Sequence, residues 1–202
     1  MQDMEETLNP GQRLEIIEDM LEAGRRRFVE DGKIYVLWGS VAVLASAIHW
    51  FSASVFKEYW VGPLIWGLSF TLGFLFVWRL VAKSPPRVRS YITKAINGIW
   101  IATCISLALL MVLTFTGLIP LESYFPIICI VLGLAYWAVS PLVRFSAMRA
   151  LAVVWWIGGL ASALAPGLWA IVILNILVVV CEIIPGAMMI RHAKKVGPDA
   201  NR

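Results

Sequence analysis

Residues 168–190 read LWAIVILNILVVVCEIIPGAMMI, and this stretch decides the class of fold. It is longer than the ~20 apolar residues that carry a helix across the hydrocarbon of a bilayer. Glu182 is its single charged residue. A helix that is apolar on every side is either deeply buried or a membrane span, and this length favours the span.

Five further apolar runs repeat the pattern. The chain of 202 residues is 60% hydrophobic and only 15% charged, with a mean hydropathy of +0.79. A soluble domain carries about a quarter charged residues, so the composition argues against a soluble globular fold. The sequence predicts an all-α bundle of six transmembrane helices. The predicted spans are residues 35–56, 61–82, 97–119, 124–143, 147–165 and 168–190.

The charge of the loops predicts the orientation. Basic residues collect on one side of the predicted bundle: Arg25, Arg26, Arg27, Lys33, Lys83, Arg87, Arg89, Lys94, Arg144, Arg149, Arg191, Lys194 and Lys195. The opposite side holds only Lys57, Glu58 and Glu122. Because loops rich in Lys and Arg stay in the cytoplasm, both termini are predicted to be cytoplasmic.

The segment before the first span predicts an amphipathic helix. Asn9 suits the N-cap, Pro10 the first helical position, and Gln12 can complete a capping box. An apolar stripe and a basic end follow at helical spacing: Leu14, Ile17, Leu21 and Phe28, then Arg25, Arg26 and Arg27. Arginines at a helix C-terminus suit both the helix dipole and anionic lipid headgroups. We expect these residues to contact a partner protein or the membrane surface.

Three regions follow from this pattern. Residues 1–32 form the predicted cytoplasmic helix and hinge, residues 33–192 the six-helix membrane domain, and residues 193–202 a cytoplasmic tail. The lipid bilayer is the first predicted partner. A protein that docks on the N-terminal helix and a second copy of the chain are further partners that the arrangement permits. We expect no direct contact with nucleic acid.

One ionisable residue interrupts the last span. Glu182 lies nine residues before Arg191, roughly 13 Å in from that boundary. Asn175 is two turns earlier, and Pro185, which follows, removes the N–H that would bond the carbonyl of Cys181. A carboxyl group, a freed carbonyl and a kink within one turn can build an ion or proton site. A carboxyl that is hydrogen-bonded in the bundle without further role is the equal alternative.

Cationic partners for Glu182 are available on other spans. Arg79 lies one turn inside the second span, and Arg149 begins the fifth. His49 lies on a small-residue face of the first span at a height about 10 Å from that of Glu182, so we expect a hydrogen-bonded structural histidine. The candidate intramembrane polar site comprises Glu182, Asn175, Pro185, Arg79, Arg149 and His49.

Motifs that carry catalytic chemistry are missing from the sequence. It has no Gly-rich phosphate loop, no H-E-x-x-H, no C-x-x-C and no G-x-S-x-G. Its three cysteines lie in different apolar runs, as small apolar core residues do. We therefore predict no catalytic residue, no cofactor and no metal.

Two segments carry a resemblance. Residues 17–20 (IEDM), 25–27 (RRR) and 30–39 (EDGKIYVLWG) resemble the start of a group of uncharacterised bacterial integral membrane proteins. Residues 182–186 (EIIPG) resemble the end of the same group. The group has no established activity, so the resemblance implies no catalytic residue. Its members accompany small DNA-binding regulators, which implies a sensing or regulatory role by association, in the bacterial cytoplasmic membrane.

Three function classes fit these observations. The leading prediction is a non-enzymatic regulatory, sensory or scaffolding membrane subunit that acts through its N-terminal helix. A small transporter or channel subunit that uses the polar site around Glu182 is the alternative. A membrane-embedded enzyme comes third, because it needs several polar side chains at one depth. A dry, packed centre favours the first class, and water reaching Glu182 favours the second.

The topology can be tested with reporters fused to the loops. We expect fusions at residues 83–96, at residues 144–146 and in the tail at residues 193–202 to report a cytoplasmic position, because these segments carry the basic residues. Fusions at residues 57–60 and 119–123 should report the opposite side. A cytoplasmic signal from either of these two loops would contradict the predicted orientation.

Overall fold

The computed structural model describes Asn9, Gly11, Gln12, Glu15 and residues 32–57, 61–82, 91–143 and 147–196. The long elements in these ranges are all helices. They are α1 (Gly32–Phe51), which continues as a π-helical turn (Ser52–Phe56), α2 (Gly62–Ala82), α3 (Tyr91–Phe115), α4 (Leu121–Val143), α5 (Ala147–Leu164), α6 (Leu168–Val178), a second π-helical turn (Val179–Ile183) and α7 (Ile184–Val196). The second turn joins α6 and α7 without a break in the helix.

Five of these helices are long and apolar enough to cross a membrane. They are Gly32–Phe56, Tyr91–Phe115, Leu121–Val143, Ala147–Leu164 and Leu168–Arg191. In α2 the apolar part is the shorter stretch Leu64–Arg79. The predicted all-α, multi-pass membrane class is therefore confirmed, whereas the sixth span stays a prediction.

The third predicted span differs most from the observed helix. It was placed at residues 97–119, whereas α3 covers Tyr91–Phe115. The prediction assigned Lys94 to a loop, but this exposed residue lies within the first turn, where a long side chain can reach polar headgroups. At the other end Gly117 has φ 76°, and the N–H of Leu118 donates to the carbonyl of Leu113 at 3.0 Å. This glycine C-cap ends α3 four residues early.

The other predicted boundaries lie close to the observed ones, with one extension. The last helix continues to Val196, past the predicted end of the span at residue 190 and into the predicted tail. Its apolar part ends at Arg191. The extension is polar in sequence (RHAKKV), so it lengthens the helix and not the apolar span.

Helices α1 and α4 each pack against several other helices. Helix α1 packs against α2, and it also packs against α6, the second π-helical turn and α7. Helix α4 packs against α3, α5 and α6, and buried residues occur along its whole length. In contrast, α2 and α3 expose large apolar side chains such as Leu68, Leu72, Ile101 and Leu109. An apolar outer surface of this kind is suited to contact with lipid.

All but one of the described lysines and arginines lie at one end of the bundle. Lys33, Arg79, Lys94, Arg149 and Arg191 are all exposed, and they lie where α1, α3 and α5 begin and where α2 and the apolar part of the last helix end. We call this the basic end. Lys57 and Glu122 lie at the opposite end. The described charges are therefore distributed as the loop charges predict.

Glycines allow the closest approaches between helices. A Cβ on Gly133 would collide with the indole of Trp156, and one on Gly158 would collide with Leu177. The tightest backbone contact joins Gly32 and Gly186. A Cβ on Gly186 would lie 2.9 Å from the carbonyl oxygen of Gly32, and a Cβ on Gly32 would lie 2.7 Å from the carbonyl oxygen of Gly186. The start of α1 and the start of α7 therefore touch backbone to backbone.

The predicted N-cap has the expected hydrogen bonds. The backbone N–H of Asn9 donates to Oε1 of Gln12 at 3.1 Å, and the N–H of Gly11 lies 3.5 Å from Oδ1 of Asn9. The first bond is one half of a capping box. The predicted contact residues Leu14, Ile17, Leu21, Phe28, Arg25, Arg26 and Arg27 lie outside the described residues. The amphipathic helix beyond the cap stays a prediction.

The glycine contact at the basic end can be tested with Gly186→Ala. Because the added Cβ meets backbone, it cannot be relieved by a side-chain rotation, and we expect a loss of about 1–3 kcal/mol of unfolding free energy. Gly98→Ala in α3 is the matched control, since nothing lies within 4 Å of its Cβ position. Unfolding in mixed detergent–SDS micelles measures both. Equal stability of the two variants would contradict the contact.

Candidate functional site

A polar pair joins α1 to α6 inside the bundle. The hydroxyl of Ser46 lies 2.6 Å from Oδ1 of Asn175, to which it can donate, and 2.8 Å from the carbonyl oxygen of Ala42 in its own helix. The amide N–H of Asn175 donates to the carbonyl of Ile171 at 3.1 Å. Ser46 is only 1% exposed. Asn175, one of the predicted site residues, is thus engaged in an interhelical hydrogen bond.

The carbonyl that Pro185 deprives of its helical donor has another partner. Pro185 follows the π-helical turn and has no N–H, so the carbonyl of Cys181 cannot form the usual i to i+4 bond. The hydroxyl of Tyr136 on α4 donates to this carbonyl at 2.8 Å. Tyr136 is fully buried. An interhelical side chain therefore replaces the backbone bond that proline removes, as membrane helices require.

Aromatic rings from three other helices surround Tyr136. The ring of Tyr35 on α1 lies 6.2 Å away, that of Trp100 on α3 5.8 Å and that of Trp155 on α5 6.4 Å, measured between centroids. Trp155 is fully buried, and its indole N–H lies beside the Tyr136 hydroxyl but outside hydrogen-bond geometry. Side chains of α1, α3, α4 and α5 therefore meet around the ring of Tyr136, whose hydroxyl bonds the Cys181 carbonyl of the last helix.

Glu182 lies next to this cluster. It is half-buried, and its Cβ faces α1, where a Cβ on Gly39 would lie 3.3 Å from it. Its carboxyl group interacts electrostatically with Tyr136 and Cys181. Among the described residues none forms a hydrogen bond or an ion pair with it. The carboxyl group is thus inside the bundle without a fixed partner in that part of the chain.

The two arginines proposed as partners lie elsewhere. Arg79 near the end of α2 and Arg149 at the start of α5 are both exposed at the basic end. Within the ranges that the structure describes, neither forms an ion pair with Glu182. The six predicted site residues therefore do not converge: Glu182 and Pro185 share one turn, Asn175 is bonded to Ser46, and the arginines face outward.

His49 belongs to a separate contact nearer the opposite end. The indole N–H of Trp66 on α2 donates to its Nδ1 at 3.2 Å, and the imidazole is 3% exposed. An indole N–H can only donate, so Nδ1 carries no proton and Nε2 does. A Cβ on Gly62 would collide with this imidazole. The histidine is hydrogen-bonded across helices, as the sequence predicted.

A small cavity borders this histidine. It is lined by His49, Gly62, Trp66, Met111, Thr114, Leu121, Tyr124 and Phe125. It leaves a volume of about 10 Å³ for the centre of a water molecule, which is at the lower limit for a single water. A cavity of this size does not hold a larger ligand.

Sequence reasoning missed the residues that complete these contacts. Tyr136 and Trp66 were not singled out, although each is a polar group deep in an apolar run and such groups need partners. The carbonyl freed by Pro185 was foreseen, and so was its need for a donor. Matching it to Tyr136 requires knowing that α4 lies beside the last helix, which no local pattern reveals.

Comparison with known proteins adds no functional information. No family model matches the chain, and neither a curated protein nor a solved structure matches it. The resemblance of residues 17–39 and 182–186 to bacterial membrane proteins therefore stays a prediction.

The pair between Ser46 and Asn175 can be tested with Ser46→Ala. The change removes the interhelical bond, and we expect a loss of roughly 0.5–1.7 kcal/mol of unfolding free energy, the range of such bonds in membranes. Ser106→Ala is the matched control, because that exposed hydroxyl bonds only the carbonyl of Ala102 in its own helix. If both variants unfold alike, the interhelical bond contributes nothing to stability.

Proposed function

We propose that this chain is a non-enzymatic regulatory, sensory or scaffolding subunit of the bacterial cytoplasmic membrane. In this proposal it crosses the bilayer six times with both termini in the cytoplasm. Its N-terminal amphipathic helix binds a partner protein, and the membrane bundle holds that helix at the cytoplasmic surface.

The hydrogen bonds that the polar groups form inside the bundle are the main support for the proposal. Ser46, Asn175, Tyr136 and His49 are each hydrogen-bonded to a group on another helix. A transport path or an active site needs polar groups that converge on a shared space. Here they bond in separate pairs between helices, which is the pattern of packing contacts. This favours a regulatory, sensory or scaffolding subunit over a transporter or an enzyme.

The place where the N-terminal segment meets the bundle supports the same proposal. Gly32 is the first residue of α1, and its backbone touches that of Gly186 in α7. The segment that precedes Gly32 therefore enters the bundle at a contact between its first and last described helices. The capping bond at Asn9 supports a helix that begins there, as the proposal requires.

A transporter or channel subunit is the second candidate, and one observation favours it. The carboxyl group of Glu182 is inside the bundle, and no described residue pairs with it. Unpaired carboxyl groups at such depth commonly belong to ion or proton paths. Six spans of this length would suit an oligomer better than a lone transporter.

Removal of the N-terminal segment tests the proposal. A protein that lacks residues 1–24 should insert and fold but lose its partner in co-purification from native membranes. A finer variant substitutes serine for Leu14, Ile17 and Leu21. Its matched control substitutes serine for Glu15, Glu18 and Glu22 on the other faces of the same helix.

The two faces give different expected outcomes. The apolar-face variant should lose the partner protein, because the apolar stripe of the helix would be buried against that partner. The acidic-face variant should still bind the partner. Thermal unfolding in detergent checks that each variant is folded. If the protein without residues 1–24 retains every partner, the proposed function is wrong.

A further inference from the structure

Two neighbouring residues of the last helix, Cys181 and Glu182, carry acceptors near one hydroxyl donor. The hydroxyl of Tyr136 donates to the Cys181 carbonyl at 2.8 Å. The next residue in the chain is Glu182, and its carboxyl group interacts electrostatically with the same tyrosine. A hydroxyl can donate one hydrogen bond at a time. The protonation state of Glu182 therefore bears on which acceptor holds Tyr136.

We infer that Glu182 is a proton-binding site whose ionisation moves the Tyr136 hydroxyl from the Cys181 carbonyl to the Glu182 carboxylate. A hydrogen bond to a carboxylate is roughly twice as strong as one between neutral groups. While the carboxyl group is protonated, the better acceptor is the Cys181 carbonyl, to which the Tyr136 hydroxyl donates in the structure. Loss of the proton reverses this preference. This inference deepens the proposed sensory role and rests on it for its consequence outside the bundle.

Among the titratable groups around Glu182, Tyr136 is the one that bonds the Cys181 carbonyl. Helix α1 contributes Tyr35, which lies next to Tyr136, and α4 contributes Tyr136 itself. Helix α6 contains no titratable residue, and on Glu182's own turn the neighbour is Cys181. The cations that define the basic end are all exposed: Lys33, Arg79, Lys94, Arg149 and Arg191. Within the described ranges no cation pairs with a carboxylate at this position.

The proton balance of the step is simple. The Glu182 O–H bond breaks, its electron pair stays on the carboxylate, and the proton leaves to water on the basic side. Arg191 marks that boundary, roughly 13 Å away along the helix. Tyr136 keeps its own proton throughout and changes only the acceptor. Rebinding of a proton restores the bond to the Cys181 carbonyl.

The switch acts on the hinge of the last helix. When Tyr136 leaves, the Cys181 carbonyl loses its interhelical donor, and Pro185 has no N–H with which to replace it. The π-helical turn Val179–Ile183 is then free to change its hydrogen bonding, as such turns often do at functional positions. Gly186 follows directly and touches Gly32. The proton state is thereby transmitted to the point where the N-terminal segment enters the bundle.

Infrared difference spectroscopy on the full chain in lipid nanodiscs tests the proton site. Wild type should show a protonated carboxyl band that disappears as the pH rises, and Glu182→Gln should lack it. Glu122→Gln is the matched control, since Glu122 is an exposed acid in the first turn of α4, and it should keep the band. A wild-type protein without a titrating carboxyl band, or one whose band survives in Glu182→Gln, would overturn the inference.

Amide hydrogen exchange, corrected for the intrinsic effect of pH, tests the switch. In wild type the protection of residues 183–189 should fall about tenfold as the carboxyl group ionises, the factor expected for one lost hydrogen bond. In Glu182→Gln these amides should keep the higher protection at every pH, and in Tyr136→Phe they should show the lower protection at every pH. Protection that still varies with pH in Tyr136→Phe, as in wild type, would show that Tyr136 is not the switch.

Two controls accompany the hydrogen-exchange measurement. If Tyr136→Phe does not fold, wild type is compared with Glu182→Gln alone. Amide protection at the hinge that depends on pH in both proteins would exclude Glu182 as the proton site. The same exchange experiment on the protein without residues 1–24 should give the wild-type pattern. Failure of the proposed N-terminal function and failure of the proton switch are thereby separate outcomes.

Discussion

A carbonyl group in the middle of a bilayer has no water to bond, and this constraint organises the bundle. Pro185 takes the helical donor away from the carbonyl of Cys181, and Tyr136 on α4 supplies the replacement. A donor of that kind must come from another helix at the right height, so α4 has to lie beside the last helix. Once Tyr136 is in place, Tyr35, Trp100 and Trp155 pack around its ring and bring α1, α3 and α5 to the same point. The break in one helix thus specifies how several others assemble around it.

Small residues supply the close approach that these bonds need. Hydrophobic burial does not distinguish one helix neighbour from another in lipid, because the acyl chains are as apolar as the side chains. Glycines at Gly39, Gly133, Gly158 and Gly186 instead remove the bulk that would hold helices apart. Polar pairs such as Ser46 with Asn175, and Trp66 with His49, then fix which helices meet and in what register. Many apolar side chains of α2 and α3 face outward, whereas buried ones such as Trp66 take part in this specificity.

The fold class and most helix boundaries could be read from the sequence, whereas the contacts could not. Apolar run length is a local property, and it located the helices to within a few residues except at α3, where Gly117 ends the helix earlier than the hydropathy does. The capping bond between Asn9 and Gln12 is also local and was foreseen. The position of Glu182, the freed Cys181 carbonyl and the structural role of His49 followed from spacing along single helices. Which side chain forms a hydrogen bond with each polar group depends on the arrangement of the helices in space. For this reason the sequence did not identify Tyr136 and Trp66, and it placed the two arginines too close to Glu182.

The contact between Gly32 and Gly186 has a consequence for biosynthesis. Helices leave the ribosome in chain order, so α1 reaches the membrane first and α7 last. The face of α1 that carries Gly39 and Ser46 finds its partner only when the last described helix has been inserted. Until then the nascent protein holds a small-residue, partly polar surface in lipid, where another helix can occupy it. Packing of α1 in this protein thus depends on residues 168–196, because a nascent chain that stops before residue 168 leaves α1 without the neighbour it packs against.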